Sequence, residues 1–452
     1  MKRKEKHNMK LIDSMVLTDV DDESDLGIII NALNGKICVI SGEEKQFIRK
    51  WTNLEEITPE GDGEKALLKE LHESGFLVQN KKEEEHIVSH ILSICREDHK
   101  RIAESRGGVV FVVTYMCNFA FPYCYENAVA YCNNKILSEE MVDKIFELHH
   151  NSIPQIALYG GEPFLPETRK IIEYIISKAP GSVYSATTNG YYLPDYVDLL
   201  KKIKVNNIMI TLDGTREIHN KTRVLGNGMG TYDQVIKGIE ICLSNLIPVK
   251  IRMNISEMNM KDCLELREEF IGQYKEEYET GILSFELQPV FQLSPEKKDK
   301  IKEKIYYNGI RNQEAPFKYN VITHSVSPIL KAFVNNSKKA FKPRYCNCDA
   351  ESKRLFYDPE GDIYSCILSL KNKTATVGKY FPQHYMKEES ILTRNIETVE
   401  VCKKCKLKFL CGGGCAYEIM DDKGNVKNPN CTSILNEINN ELPQLYKKLI
   451  LR

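Results

Sequence analysis

The fold turns on one stretch, Gly108-Val-Val-Phe-Val-Val-Thr114, which runs through Tyr115-Met116 into Cys117-Asn-Phe-Ala-Phe-Pro-Tyr-Cys-Tyr-Glu126. Its first half is apolar without alternation, as expected of a strand buried on both faces of a parallel sheet. Further strand patterns follow at Gln155–Tyr159, Ser182–Thr187, Asn207–Leu212, Val249–Ile255 and Ser284–Val290. Helical spacing lies between several of them, over Ser138–His150, Pro166–Lys178 and Tyr232–Leu246. Strands alternating with helices predict right-handed βαβ units, hence an α/β chain with a parallel sheet or a partial barrel. In such folds the site gathers at the carboxyl ends of the strands.

Each strand candidate is followed by unusual chemistry. After the first come Cys117 and Cys124; after the second, Gly160-Gly161-Glu162-Pro163. The third runs into Thr187-Thr188-Asn189-Gly190, the fourth into Asp213-Gly214 with Arg223 ten residues on. The fifth carries Arg252 and Asn254. Taken singly, Gly160–Pro163 or Thr187–Gly190 would also serve as a turn. Four such motifs in order, each at a strand end, point to one site.

The 452 residues predict two or three domains. Apolar content of 42% and charged content of 28% are those of a soluble globular chain. The 62 Lys and Arg nearly balance 63 Asp and Glu, which argues against a nucleic-acid binder. No apolar run of about 18 residues is present, so no membrane span is expected. The basic start, MKRKEKHNMK, is not followed by the apolar stretch of a secretory signal, and a cytoplasmic setting is expected. There, 15 cysteines are expected to be metal ligands or core residues rather than disulfides. Cys38, Cys95, Cys242 and Cys263 sit among apolar neighbours and read as core. Cys346, Cys348, Cys366, Cys402, Cys405, Cys411, Cys415 and Cys431 crowd into 86 residues, where an even spread would put about three. Closely spaced thiolates beside Gly412-Gly-Gly414 can converge on an iron–sulfur cluster. Two zinc sites would draw on the same thiolates, since Cys402-x2-Cys405 alone is half a zinc ribbon.

In their order the strand-end motifs resemble the radical S-adenosylmethionine (SAM) superfamily. Its first strand ends in Cys-x-x-x-Cys-x-x-Cys, three thiolates that hold a [4Fe–4S] cluster with one iron open to SAM. Here Cys117 and Cys124 are in register and the middle position is Phe121, whose ring cannot bind iron. Cys132 is the nearest spare cysteine. The resemblance implies that Gly160, Gly161, Glu162 and Pro163 meet the SAM ammonium, and that Asn189, Asp213, Arg223 and Asn254 bind SAM or shape its site. It also implies a 5′-deoxyadenosyl radical that removes hydrogen from substrate, with an electron donor such as flavodoxin or ferredoxin.

Cys348, Gly361 and Cys366, then Cys402-x2-Cys405-x5-Cys411-x3-Cys415 and Cys431, resemble the SPASM auxiliary-cluster domain. The resemblance implies two further [4Fe–4S] clusters. Cys348, Cys366 and Cys415 would serve the inner one, with Cys346 as a further ligand, and Cys402, Cys405, Cys411 and Cys431 the outer. Ile367 stands where sulfatase maturases of this family carry an aspartate base, so their aldehyde-forming oxidation is not expected. The remaining relatives mostly act on ribosomally made precursor peptides, forming thioether or carbon–carbon crosslinks. A non-catalytic relative that binds peptide or SAM without cleaving SAM is the alternative.

Residues 1 to 105 carry short apolar runs around the Asn34-Gly35 turn signal and helical spacing at Glu43–Trp51 and Gly63–Gly75. They resemble a winged-helix element that adds a leader peptide as a strand. The expected architecture is therefore that module over 1–105, a partial (β/α)6 TIM-like barrel over 106–310, and a cysteine-rich iron–sulfur domain over 311–452.

Overall fold

The computed structural model describes residues 9–20, 25–104, 108–121, 124, 134–290, 341–351 and 354–450. Six parallel strands lie at its centre: β1 (Val109–Thr114), β2 (Gln155–Gly160), β3 (Val183–Thr188), β4 (Lys204–Thr211), β5 (Val249–Ile255) and β6 (Leu283–Pro289). They pair in sequence order, each with the next, as a singly wound sheet. The chain is thus an α/β protein with a partial TIM-like barrel and a cysteine-rich C-terminal region.

Strand chemistry sets which face is filled. On β5, Val249, Ile251, Met253 and Ile255 join the main apolar core, while Lys250, Arg252 and Asn254 line a cavity. β6 alternates in the same way, with Phe285 and Leu287 outward against helices and Glu286 and Gln288 inward. β1 has no such alternation. Val109, Phe111 and Val113 enter the main core, and Val110 and Val112 pack with Tyr159, Phe356 and Tyr364 on its other face.

Helices Glu139–Leu148, Arg169–Lys178, Tyr232–Ser244 and Met260–Gln273 cover the outer face. Ser138 caps the first, its side chain accepting from the Met141 N–H. The sequence reading placed the first three of these helices and missed the fourth.

The free edge of β1 is closed by the C-terminal region, whose strand Leu355–Tyr357 pairs with it in parallel. Three short strands continue the sheet antiparallel, giving ten in all.

The N-terminal region has a three-stranded antiparallel sheet, Met15–Asp19, Gly27–Asn31 and Ile37–Ile40, with the expected turn at Gly35. Helices Gly42–Trp51 and Asp62–Glu73 follow, and then one continuous helix, Lys81–Glu104. Among the described residues this sheet shares no apolar cluster with the barrel strands. Val16, Ile28 and Ile30 share an apolar cluster with Leu407, Leu410, Ile434, Ile438 and Leu442. Ile12, Leu33, Val78 and Cys95 share another with Ile396, Val399, Cys402 and Phe409. Among the described residues no helix is long and apolar enough to cross a membrane.

Candidate functional site

A cavity of about 1060 Å³ opens along the inner face of the barrel. Cys117, Phe121, Cys124, Gly160, Gly161, Asn189, Arg223 and Asn254 line it. Strand ends from β1 to β5 therefore deliver most of the motif residues to one space, as the topology requires. The C-terminal region supplies Arg354, Phe356, Ile367, Leu368 and Lys371 to the same wall.

Gly160 and Gly161 are required by the chain itself. A Cβ on Gly161 would lie 2.4 Å from the Met116 carbonyl oxygen and 2.6 Å from that of Tyr115. The two segments are bonded, Gly161 N–H to Thr114 O at 2.9 Å and Glu162 N–H to Met116 O at 2.8 Å. The loop after β2 is thereby fastened to the cysteine-bearing loop after β1.

Glu162 is fully buried and turned into the protein. Its Oε1 accepts from the Phe164 N–H at 2.9 Å and the Thr188 hydroxyl at 2.7 Å, and its Oε2 from the Asn189 N–H at 2.7 Å. Burial pushes its pKa up to about 7 against those donors. It ties the ends of β2 and β3 together, and the Pro163 carbonyl oxygen accepts from the Thr168 hydroxyl. The Asn189 side chain donates to Asn118 Oδ1 at 2.7 Å, holding the β3 end to the loop after β1.

Asp213 is buried at the end of β4. It accepts from the Asn254 N–H at 2.9 Å and pairs with Arg223, Nη1 to Oδ2, at 3.4 Å. Burial raises its pKa and Arg223 opposes the shift. The guanidinium of Arg223 also sits over the Phe121 ring, 4.4 Å from its centroid, and 5.8 Å from that of Phe119. Backbone pairing sets this up: Phe119–Ala120 forms a two-stranded ribbon with Val224–Leu225. Cys132 lies outside the described residues.

In the C-terminal region the thiols fall into two groups. After burial, Cys366 and Cys415 raise Cys348, and Cys405 and Cys431 raise both Cys402 and Cys411. Burial first, and neighbouring thiolates after it, push Cys366 and Cys402 up to about 11 and Cys411 to about 12. Cys346 Sγ lies 3.8 Å from His99 Nδ1. Among the described residues no three His, Cys, Asp or Glu side chains close on a single ion.

A buried pair missed by the sequence reading holds this region together. Arg394 bonds Glu351 Oε1 at 2.6 Å and donates to the carbonyl oxygens of Gly413, Gly414, Val426 and Asn428. Glu351 Oε2 in turn accepts from the Asn347 and Cys348 N–H groups. Neither residue belongs to a spacing motif, so nothing in the sequence marked them.

Residues 111–270 match the family model described as the radical SAM superfamily. The GTP 3′,8-cyclase of Clostridium acetobutylicum is 32% identical over 165 residues, 35% of this chain and 51% of that protein. The Fe-coproporphyrin III synthase of Methanosarcina barkeri is 30% identical over 158 residues, 34% of this chain and 38% of that protein. The chain thus spans about half the length, or less, of these curated relatives. Among solved structures, native anSMEcpe with bound AdoMet aligns at a TM-score of 0.53 and 18% identity, covering 75% of this chain and 98% of that one. Streptococcus suis SuiB bound to S-adenosylmethionine aligns at 0.50 and 15% identity, covering 94% and 99%. These two likenesses are of fold. The family match lies over the strands and loops that build the cavity.

Proposed function

We propose that this chain is a radical SAM peptide maturase, acting on a ribosomally made precursor peptide to form a thioether or carbon–carbon crosslink. The observation that carries the reading is the shared cavity. The strand-end loops form one wall, and Ile367, next to Cys366, brings the cysteine-rich region to another. A substrate held between them would touch both. Solved structures of similar fold include SuiB bound to the precursor peptide SuiA, at a TM-score of 0.50 and 14% identity. The N-terminal sheet leaves Ile37–Ile40 as an edge strand, to which a leader peptide can add.

The two thiol groups fit two auxiliary clusters, Cys348, Cys366 and Cys415 with Cys346 for the inner and Cys402, Cys405, Cys411 and Cys431 for the outer. The SAM-binding cluster fits less well. Cys117 and Cys124 offer two thiolates, and Phe121 offers a ring that Arg223 covers. SAM on a complete cluster would supply the radical. This chain's own residues position the loops: Glu162, Asn189 and Asp213 brace the strand ends, and Gly160 and Gly161 let the loops meet. Phe121 favours a second reading, in which the chain binds precursor peptide or SAM without cleaving SAM.

The two readings separate on iron content and 5′-deoxyadenosine after anaerobic reconstitution with a strong reductant, for this chain and Phe121→Cys. A maturase disabled at one position holds about eight irons and makes no deoxyadenosine, while Phe121→Cys holds about twelve and cleaves SAM. Failure of both proteins to cleave SAM sinks the maturase reading.

A further inference from the structure

On the inner faces of β5 and β6, Arg252 and Glu286 are direct register partners. Glu286 Oε1 accepts from Arg252 Nε at 2.8 Å and from Nη2 at 2.5 Å. The Glu286 side chain is fully buried yet belongs to the cavity wall. Among the described residues its second oxygen, Oε2, has no hydrogen-bond partner. A buried carboxylate oxygen without a donor is costly and rare. On the wall of a binding cavity it marks a place where the ligand brings the donor.

The surroundings define that ligand. Arg252 already balances the charge of Glu286, and Lys250 on the same face adds another positive charge. A second cation is therefore disfavoured, and an anion would be set against the open Oε2. A neutral group with an N–H beside a carbonyl satisfies both partners, giving its N–H to Glu286 Oε2 and accepting a remaining Arg252 N–H. Arg252 is 28% exposed and within reach. Glu286 sits three residues inside the end of β6 at Pro289, so a slender side chain reaches it more readily than a peptide main chain.

We propose that Arg252 and Glu286 form a pocket for a carboxamide side chain, Asn or Gln, of the substrate peptide. The carrier being a peptide rests on the maturase reading above; the preference for a carboxamide rests on the pair itself. The test is binding to the full chain, by ligand-observed NMR titration, of Gly-Gln-Gly against Gly-Met-Gly, Gly-Lys-Gly and Gly-Glu-Gly. Gly-Gln-Gly is expected to bind about tenfold more tightly than the other three, the worth of one well-made buried hydrogen bond. In Glu286→Gln, with Arg252 and Lys250 unbalanced, Gly-Glu-Gly is expected to become the tightest of the four. Equal binding of the four, binding of none, or Gly-Lys-Gly as the tightest overturns the proposal, and the native-chain ranking stands even where the variant fails to fold. None of these readings depends on SAM cleavage, so failure here is distinct from failure of the Phe121→Cys assay.

Discussion

His219 has a fully buried ring between two partners that fix its protonation. Its Nδ1 accepts from the Asp213 N–H, and its Nε2 faces a Thr231 hydroxyl that itself donates to the Arg223 carbonyl. The ring is thus neutral, with the proton on Nε2. Burial, and then the nearby Arg223 charge, lower its pKa to about 3. An unfolded histidine titrates near 6.5, so the folded chain binds fewer protons than the unfolded one below that pH. The stabilisation is full above about pH 6.5 and is lost as pH falls from there towards 3, by about 1.4 kcal/mol per pH unit. The difference in denaturant midpoint between this chain and His219→Gln should change with this slope between pH 7 and 4; a difference independent of pH would show the acid sensitivity to lie elsewhere. Phe121 is a different kind of residue. The sequence marks it only as the position where the resemblance expects a cysteine. Its Arg223 partner was legible only as a motif residue, since the contact depends on the ribbon that Val224–Leu225 forms with Phe119–Ala120.

At the level of elements, the glycine run 412–414 and Arg394 act together. All three glycines have positive φ, and a Cβ on Gly414 would meet the Asn430 carbonyl oxygen at 1.9 Å. The tight turn brings Cys411 and Cys415 against the segment holding Cys431, and Arg394 ties their carbonyl groups to Glu351 beside Cys348. Replacing Arg394 by Met leaves the Glu351 carboxylate buried without its partner, a change expected to cost about 3–5 kcal/mol. Urea unfolding should report that loss, and if the thiols hold clusters as proposed, reconstituted iron should fall as well. Retention of full iron and an unmoved midpoint would show that the pair is dispensable. Thiol spacing was readable in the sequence, whereas the pair that holds the thiol loops in place was not: Arg394 and Glu351 are 43 residues apart, in segments without periodicity. The barrel strands were readable because alternation and strand-end motifs reinforce each other. Helix Met260–Gln273 was missed because Cys263, Leu266, Arg267 and Phe270 give a mixed buried face.

Across the whole molecule, the N-terminal sheet and the cysteine-rich region share their apolar clusters. The sequence suggested three successive modules, because composition shifts mark boundaries along the chain and say nothing of which blocks touch. Removing residues 1–80 would strip cover from Leu407, Leu410, Ile434, Ile438 and Leu442, opening a large apolar patch. The truncated chain is expected to aggregate, while the full chain unfolds these two regions in one calorimetric transition. Two separate transitions in the full chain would refute the coupling. The same arrangement bears on synthesis. Met15 and Lys406, bonded in the finished protein, are 391 residues apart, so at about 5–20 residues per second the first strands wait roughly 20–80 s for the surface that covers them. Ile28 and Ile30 spend that interval exposed at the ribosome, and the segment that covers them also carries Cys402, Cys405, Cys411, Cys415 and Cys431. For this protein, the N-terminal fold is completed by the same stretch of chain that delivers the clustered cysteines.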